Sequence, residues 1–356
     1  MTIPWSRSLY RITIGGTDVS SRLAPWLIKV ETEDATSSTS DAATIELDDG
    51  IGGRFVLPPK GSAVTIDLGS EGRGLARRFT GSVDTTKWRL DRRGGRRLEI
   101  HAKGMDTSSE VKQPSRRHWD DATLATVMDE AARACGLDGC AVHGDLAAVT
   151  RDWWAMDGES FVAFGHRLAA DHGATFKVVG RRALLVPRGA GVSASGRDLA
   201  PVLATVGDNV LSVEIAPDSG RPRYKAVKAR HYDRAEARWK EVEAEVDTGG
   251  DDTVGATETL AHDRADADTA HSSARAEARD SERQKGGGPV EIDGDPTAVA
   301  GAPCILSGCR PGIDGMYEIA TVKDTLDRRG GYVTRLDLVK PDAAVGKDAR
   351  RTTKTP

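Results

Sequence analysis

The hexapeptide Leu-Asp-Arg-Arg-Gly-Gly occurs twice in this chain, at residues 90–95 and 326–331. Each copy lies between runs of alternating apolar and polar residues. Phe-Thr-Gly-Ser-Val (79–83) precedes the first copy and Arg-Leu-Glu-Ile (97–100) follows it. Met-Tyr-Glu-Ile (316–319) precedes the second and Arg-Leu-Asp-Leu (335–338) follows it. Glycine supplies the positive φ that a tight connection between strands needs, so both copies read as hairpin tips. Upstream, Gly-Ser-Ala-Val-Thr-Ile (61–66) resembles Gly-Ala-Pro-Cys-Ile-Leu (301–306) at a similar offset. Two matched pieces in the same order suggest one β module used twice; the alternative is chance in a chain rich in Arg and Gly.

The rest of the chain fits around that repeat. Residues 8–14, 27–33, 42–47, 63–68, 78–90 and 96–102 alternate as strands, with turn signals between them. Their spacing suits an antiparallel barrel or sandwich. The period then changes. Asp120 or Asp121 can cap a helix carrying Leu124, Val127, Met128 and Ala131, which Gly136 ends. A second helix starts near residues 157–160, carries Phe161, Phe164, Leu168 and Ala169, and stops at His172-Gly173. A hairpin follows at 174–186. A linker at 189–196 leads back to strands at 210–215, 224–231 and 238–246. Residues 258–284 hold no Pro or Gly and read as a long exposed helix with few apolar anchors. Strands resume from 290 to 339, and the charged tail beyond is expected to be disordered.

These segments predict an α+β, mainly β fold. The expected domains are a first β barrel at 1–110, an inserted α/β domain at 111–188, and a second β barrel at 189–342 that includes the helix at 257–284. A disordered tail at 343–356 completes the chain. With 356 residues there is ample material for such cores. No apolar run of 18 residues occurs, so no membrane-spanning helix and no stable membrane insertion are expected. The first ten residues lack the apolar core of a Sec signal. A net charge of −4 argues against general nucleic-acid binding.

Chemistry-bearing motifs are scarce. Cys135/Cys140 and Cys304/Cys309 have like spacing, at the edge of what a zinc knuckle uses, and read better as buried free thiols. His166 and His172 are six apart and do not share a helix face. His143 has no third partner in sequence, and His262 and His271 sit on the polar helical segment. No metalloprotease, nucleophile-elbow or P-loop motif is present. Asp120-Asp121 and Asp251-Asp252 fit caps and turns better than a hydrolytic pair. No catalytic, cofactor-binding or metal residue is therefore assigned. Basic clusters at Arg92-Arg93 with Arg96-Arg97, at Arg116-Arg117 and at Arg350-Arg351 read as solvated tips and terminus. Trp153-Trp154 puts one ring on each face of a strand. One ring suits the core; the other suits either a local core or an interface, as does Trp119.

In order, Ser-Arg-Arg-His-Trp (115–119), Ala-Cys-Gly-Leu (134–137), Asp-Gly-Glu-Ser-Phe-Val-Ala-Phe-Gly-His-Arg-Leu (157–168), Gly-Met-Tyr-Glu-Ile (315–319) and Gly-Gly-Tyr-Val-Thr-Arg-Leu (330–336) line up with a known family. Over residues 5–342 the chain resembles the late control protein D family, the baseplate hub proteins of contractile phage tails. Its relatives include Mu-type hubs and the hub part of type VI secretion spike proteins. The resemblance implies two tail-tube-like barrels per chain and a homotrimer whose six barrels form a pseudo-six-fold ring. Such a ring adapts a six-fold tail tube to a three-fold spike. The implied partners are the tail tube protein or a tube-proximal baseplate ring, a separate spike protein and, as a further candidate, the tape measure protein. DNA would pass through the lumen without specific binding, past a neutral or acidic wall. The implied place is the virion tail baseplate, assembled in the host cytoplasm. The alternatives are a tail-associated cell-wall hydrolase and a receptor-binding module.

Overall fold

A computed structural model describes residues 7–36, 40–51, 53–92, 94–105, 110–189, 191–192, 197–217, 224–247, 255–283 and 286–340. Arg93, Asp251-Asp252, most of the 189–196 linker, Arg350-Arg351 and the expected tail at 343–356 lie outside these residues. The first stretch comprises β1 (Ser8–Ile14), β2 (Thr17–Asp18), α1 (Ser20–Leu23), β3 (Leu27–Ala35), β4 (Ala42–Asp48), β5 (Ala63–Ser70), β6 (Gly74–Asp91) and β7 (Gly95–Lys103). The second comprises β8 (Ser115–Thr123), α2 (Leu124–Ala134), β9 (Cys140–Val142), β10 (Thr150–Glu159), α3 (Phe161–His172), β11 (Ala174–Val179) and β12 (Arg182–Pro187). The third comprises β13 (Val202–Thr205), β14 (Val210–Val213), β15 (Ala226–Asp233), β16 (Arg238–Glu245), β17 (Thr257–Thr259), α4 (Ala267–Arg283), β18 (Gly287–Asp293), β19 (Pro303–Ser307), β20 (Gly315–Asp327) and β21 (Gly331–Val339).

Both hexapeptides are hairpin tips of the same construction. Asp91 pairs with Gly95 across the first tip and Asp327 with Gly331 across the second. Each Asp side chain accepts a hydrogen bond from the tip's first glycine, Gly94 or Gly330. The next glycine sits at φ 72° in Gly95 and 73° in Gly331, a region closed to most L-residues. The ladders then slip at matching places, between Val83 and Thr85 in β6 and between Ile319 and Thr321 in β20.

The correspondence extends through five strands. In β5 and β6, Ala63 faces Ser82 and Val64 faces Gly81; in β19 and β20, Pro303 faces Glu318 and Cys304 faces Tyr317. The nitrogen of Gly61 donates to the Val83 carbonyl, and that of Gly301 to the Ile319 carbonyl. Ile45-Glu46-Leu47-Asp48 of β4 occupies the place of Val290-Glu291-Ile292-Asp293 of β18. Finally, β3 slips against β4 between Leu27 and Lys29, and β14 slips against β18 between Val210 and Ser212. Bulges interrupt a ladder at one residue, so four of them at matching positions leave no room for coincidence. The strands β3 to β7 and the strands β14 and β18 to β21 are two copies of one module.

Each copy curls around its own core. Ile12, Ile45, Leu47, Ile66, Leu68, Phe79 and Leu98 fill the first, with Leu23 of α1 packed against them. Val290, Ile292, Leu306, Tyr317, Ile319 and Leu336 fill the second. In the second copy β13 pairs with β19, and a bridge from Val206 to Val210 marks its turn into β14. The copies are not separate. The far half of β20, from Thr321 to Asp327, pairs antiparallel with β3, so thirteen strands form one continuous sheet. Leu326 and Tyr332 of the second copy enter the core of the first.

The insert packs α2 and α3 on the β9–β12–β11 sheet around Leu124, Met128, Phe161, Phe164 and Phe176. Helix α2 differs from the sequence expectation: residues 115–123 form a strand paired with β10, and the cap is Thr123, whose hydroxyl accepts from the Thr126 nitrogen at 3.2 Å. Helix α3 has its expected cap at Ser160 and ends at Gly173 in the left-handed conformation.

The long helix expected over 257–284 is corrected. It begins at Ala267, and Thr257–Thr259 is a strand beside β15. Nor is it exposed. Ala270, Ala274 and Ala278 repeat every fourth residue and lie against Val227, Ala229 and Val246. Alanine lets a helix approach a sheet closely, so burial needs no large anchor. This fourth core sits between β14 and β18, inside the second copy.

At the seam between the copies lies a buried ion pair. Arg78 on β6 donates to Asp324 on β20 at 2.5 Å, their side chains 5% and 1% exposed. Asp324 also accepts from Tyr332 at 3.1 Å, Thr334 at 2.6 Å and Thr32 at 3.4 Å. Removing one partner of such a pair strands the other charge, at about 3–5 kcal/mol. Asp324→Ala should therefore destabilise by that order in denaturant unfolding. Arg116→Ala, which breaks the exposed pair with Asp157, should cost less than about 1 kcal/mol.

Candidate assembly surface

The continuous sheet has one face in the two cores and one face toward solvent. Alternation assigns Val30 and Thr32 to the core side of β3, and Glu31 and Glu33 to the outer side. In β20, Val322, Asp324 and Leu326 point inward while Thr321, Lys323 and Thr325 point outward. The outer face is polar and its charges are matched. Lys29 lies 2.6 Å from Glu31, and Lys323 reaches the same Glu31 across the seam at 3.4 Å. Arg335 sits between Glu291 at 3.7 Å and Asp337 at 3.4 Å. Arg97 pairs with Glu46, and Arg89 with Glu99. Such a face carries no unbalanced basic stripe of the kind that grips a phosphate backbone.

The insert is tied to the seam by one lysine. Lys177 on β11 bridges Asp34 at the end of β3 and Asp41 just before β4, the latter at 2.5 Å. Burial opposes ionisation of Asp34, but Lys177 outweighs it and holds the carboxyl below its usual range. Burial raises Asp41 instead, which shares the same lysine and feels the charge of Asp34. A cleft of about 280 Å³ lies beside this triad, lined by Asp34, Lys177, Leu199 and Glu318 among others. Its charged walls are already mutually paired: Arg283 of α4 bonds Glu318.

The residues marked by sequence do not converge. Cys135, Cys140, Cys304 and Cys309 are all free. Burial pushes the Cys140 and Cys304 thiols up to about 12, which keeps them from acting as nucleophiles at neutral pH. Among the described residues no group of three His, Cys, Asp or Glu side chains could hold a metal ion. His172 is structural. The Arg151 guanidinium donates to its Nε2 at 3.0 Å, so Nδ1 carries the proton and faces Ser272 Oγ at 3.2 Å. That contact joins α3 to α4. Trp154 is buried and donates to the Ala122 carbonyl at 2.9 Å, while Trp153 is 61% exposed. Trp119 stacks on Phe164 at 5.9 Å. Sequence inspection missed the exposed pair Trp88 and Leu90, on the outer reach of β6, at 52% and 58% exposure. The signal was present in the first hexapeptide, whose Leu90 was taken only as part of a turn.

No family model matches the chain. It is 27% identical over 212 residues to the probable baseplate hub protein of Escherichia phage 186, covering 58% of this chain and 53% of that protein. The probable baseplate hub protein of Escherichia phage P2 is 26% identical over 200 residues, or 56% and 50% of the two chains. The chain thus matches about half the length of these curated relatives. Among solved structures, the 43 kDa tail protein of prophage MuSo2 from Shewanella oneidensis superposes with a TM-score of 0.69 at 19% identity, over 94% of this chain and 99% of that one. The tail protein of Neisseria meningitidis MC58 gives 0.67 at 13% identity over 95% and 99%. The E. coli c3393 protein, a component of the type VI secretion system, gives 0.55 at 12% identity over 95% and 79%. The fold is therefore that of phage tail proteins. Sequence narrows the class further, because the curated homologues are baseplate hub proteins, in agreement with the late control protein D resemblance.

Burial first, and then the neighbouring Arg151 charge, lower His172 to about 4. The unfolded chain therefore binds a proton near pH 6.5 that the folded chain refuses until about pH 4, so stability falls as pH drops through that window. Melting temperature measured from pH 8 to 4 should show this loss, and His172→Gln should reduce it.

Proposed function

We propose that this protein is the structural hub of a phage tail baseplate. It assembles as a homotrimer whose six barrels form a ring, which adapts the six-fold tube to the three-fold spike. The observation that carries this reading is the duplication of one five-strand module in matching register, with both copies fused into a single sheet. Three chains with two equivalent modules each present six near-equivalent surfaces on one side and three identical chains on the other. Closed assemblies need self-consistent contacts, and duplication supplies them at a symmetry mismatch. The likeness to curated hub proteins of phages 186 and P2 supports the same role.

In this reading residues 1–110 and 189–342 act as the two tube-like units and 111–188 as an outward α/β domain, tied in through Lys177. The matched charges of the outer sheet face line the channel. A wall without excess positive charge lets DNA slide past rather than bind. The protein works by geometry rather than catalysis. Tube, spike and tape measure proteins are its partners, and the virion tail baseplate is its place.

Light scattering on the purified chain, alone and mixed with the tube and spike proteins encoded beside it, should give trimers or rings that hold both partners. A chain that stays monomeric with both partners present overturns the hub role. A lytic band on a peptidoglycan zymogram would instead support the cell-wall hydrolase. Fluorescence anisotropy with duplex DNA at physiological salt should show no saturable binding below about 10⁻⁴ M, the weak end of non-specific affinity. Micromolar binding with a steep salt dependence would overturn the channel-wall assignment.

A further inference from the structure

Within the chain, the two modules meet where β20 of the second pairs with β3 of the first. Because the modules match residue for residue, each has an edge equivalent to the one its sibling uses. The counterpart of β20 from Thr321 to Asp327 is β6 from Thr85 to Asp91. The counterpart of β3 from Lys29 onward is β14 from Ser212 onward, continued by the backbone bonds of Glu214 to Pro289 and Ala216 to Gly287. Both counterpart edges lack a strand partner among the described residues: β6 there pairs only with β7, and β14 only with β18.

The residues that make the internal seam recur on these open edges. Across the seam Leu326 faces Val30 and Lys323 reaches Glu31. Leu90 and Lys87 stand at the places of Leu326 and Lys323, and Val213 and Glu214 at the places of Val30 and Glu31. Leu326 is 6% exposed, whereas Leu90 is 58% exposed. The same leucine is therefore buried where its edge is occupied and bare where it is not. The seam register, carried across, sets Leu90 opposite Val213, Arg89 opposite Glu214 and Trp88 opposite Ile215. Two apolar pairs flank one of opposite charge, each a favourable cross-strand combination. Lys87 lies within reach of Glu214 on the diagonal. Pro217, which has no N–H to give, ends the run.

We propose that β6 of one copy pairs antiparallel with β14 of the next, in the register Leu90–Val213, reproducing the internal seam between chains. The occupant of each open edge is thus a second copy of this protein. The contact is heterologous, and such contacts close into rings when the rotation allows. This inference rests on the hub reading for the number of chains in the ring, but the strand pairing is set by the register alone.

Neighbouring antiparallel pairs alternate between close and wide spacing, so two in-register cysteine pairs are needed to test it. Full-length Leu90→Cys/Val213→Cys and Arg89→Cys/Glu214→Cys variants are oxidised under mild conditions and run on non-reducing gels. Single-cysteine variants and the slipped pair Leu90→Cys/Ala216→Cys serve as controls. At least one in-register pair should give a covalent ladder that ends at the trimer, well above the controls. Trimers by light scattering with no in-register cross-link overturn the pairing and leave the hub reading intact. Monomers throughout, with tube and spike proteins present, overturn both. Charge exchange gives an independent readout: Lys87→Glu should raise the trimer dissociation constant several-fold, and adding Glu214→Lys should restore it. An unrestored double variant counts against the register.

Discussion

The structure depends on the Arg78–Asp324 pair and the seam it underlies. Asp324 lies on the inward face of β20 at the point where that strand has left the second core and entered the first. There it gathers Arg78 from one module, Tyr332 and Thr334 from the other, and Thr32 from the strand across the seam. Burial disfavours the Arg78 charge, yet Asp324 and Tyr332 hold it protonated above its ordinary range. Burial and the Asp324 charge in turn keep the Tyr332 phenol neutral. A buried network of this kind is stable only when complete, so it selects one register for β20 against β3. The continuous sheet, its polar outer face and the placement of the insert through Lys177 all follow from that register.

Much of the module was legible because its signals are local. The hexapeptide carries the turn, the flanking runs carry period two, and the match of residues 61–66 to 301–306 anticipated the pairing of Ala63 and Pro303 with equivalent partners. Ser160 and Gly173 announced α3 for the same reason. The seam left no such trace. β3 and β20 are nearly three hundred residues apart, and nothing in either strand marks the other as its partner. Asp324 and Arg78 look like any of the chain's 54 acidic and 50 basic residues until the backbone brings them together. Helix α4 was misread because alanine is equally at home on a solvent face and against a sheet. The propensity was right, and tertiary packing decided the rest.

The surface residues tell a related story. Leu90 and Leu326 are the same residue in the same hexapeptide, yet one is bare and one is buried. Sequence repetition alone presents them as equals. Their difference appears only when the neighbour across each edge is known, and so the repeat encodes the assembly better than it encodes the isolated chain.

Strand β20 has one more consequence. It is a single run of backbone from Gly315 to Asp327 that begins in one core and ends in the other, and seven residue pairs tie its far half to β3. A pull along its axis loads those rungs in parallel, as shear, instead of peeling them in turn. Nor is there a linker at this junction to act as a hinge. The two halves of the chain therefore behave as one beam, able to carry thrust along a tail without bending at the middle.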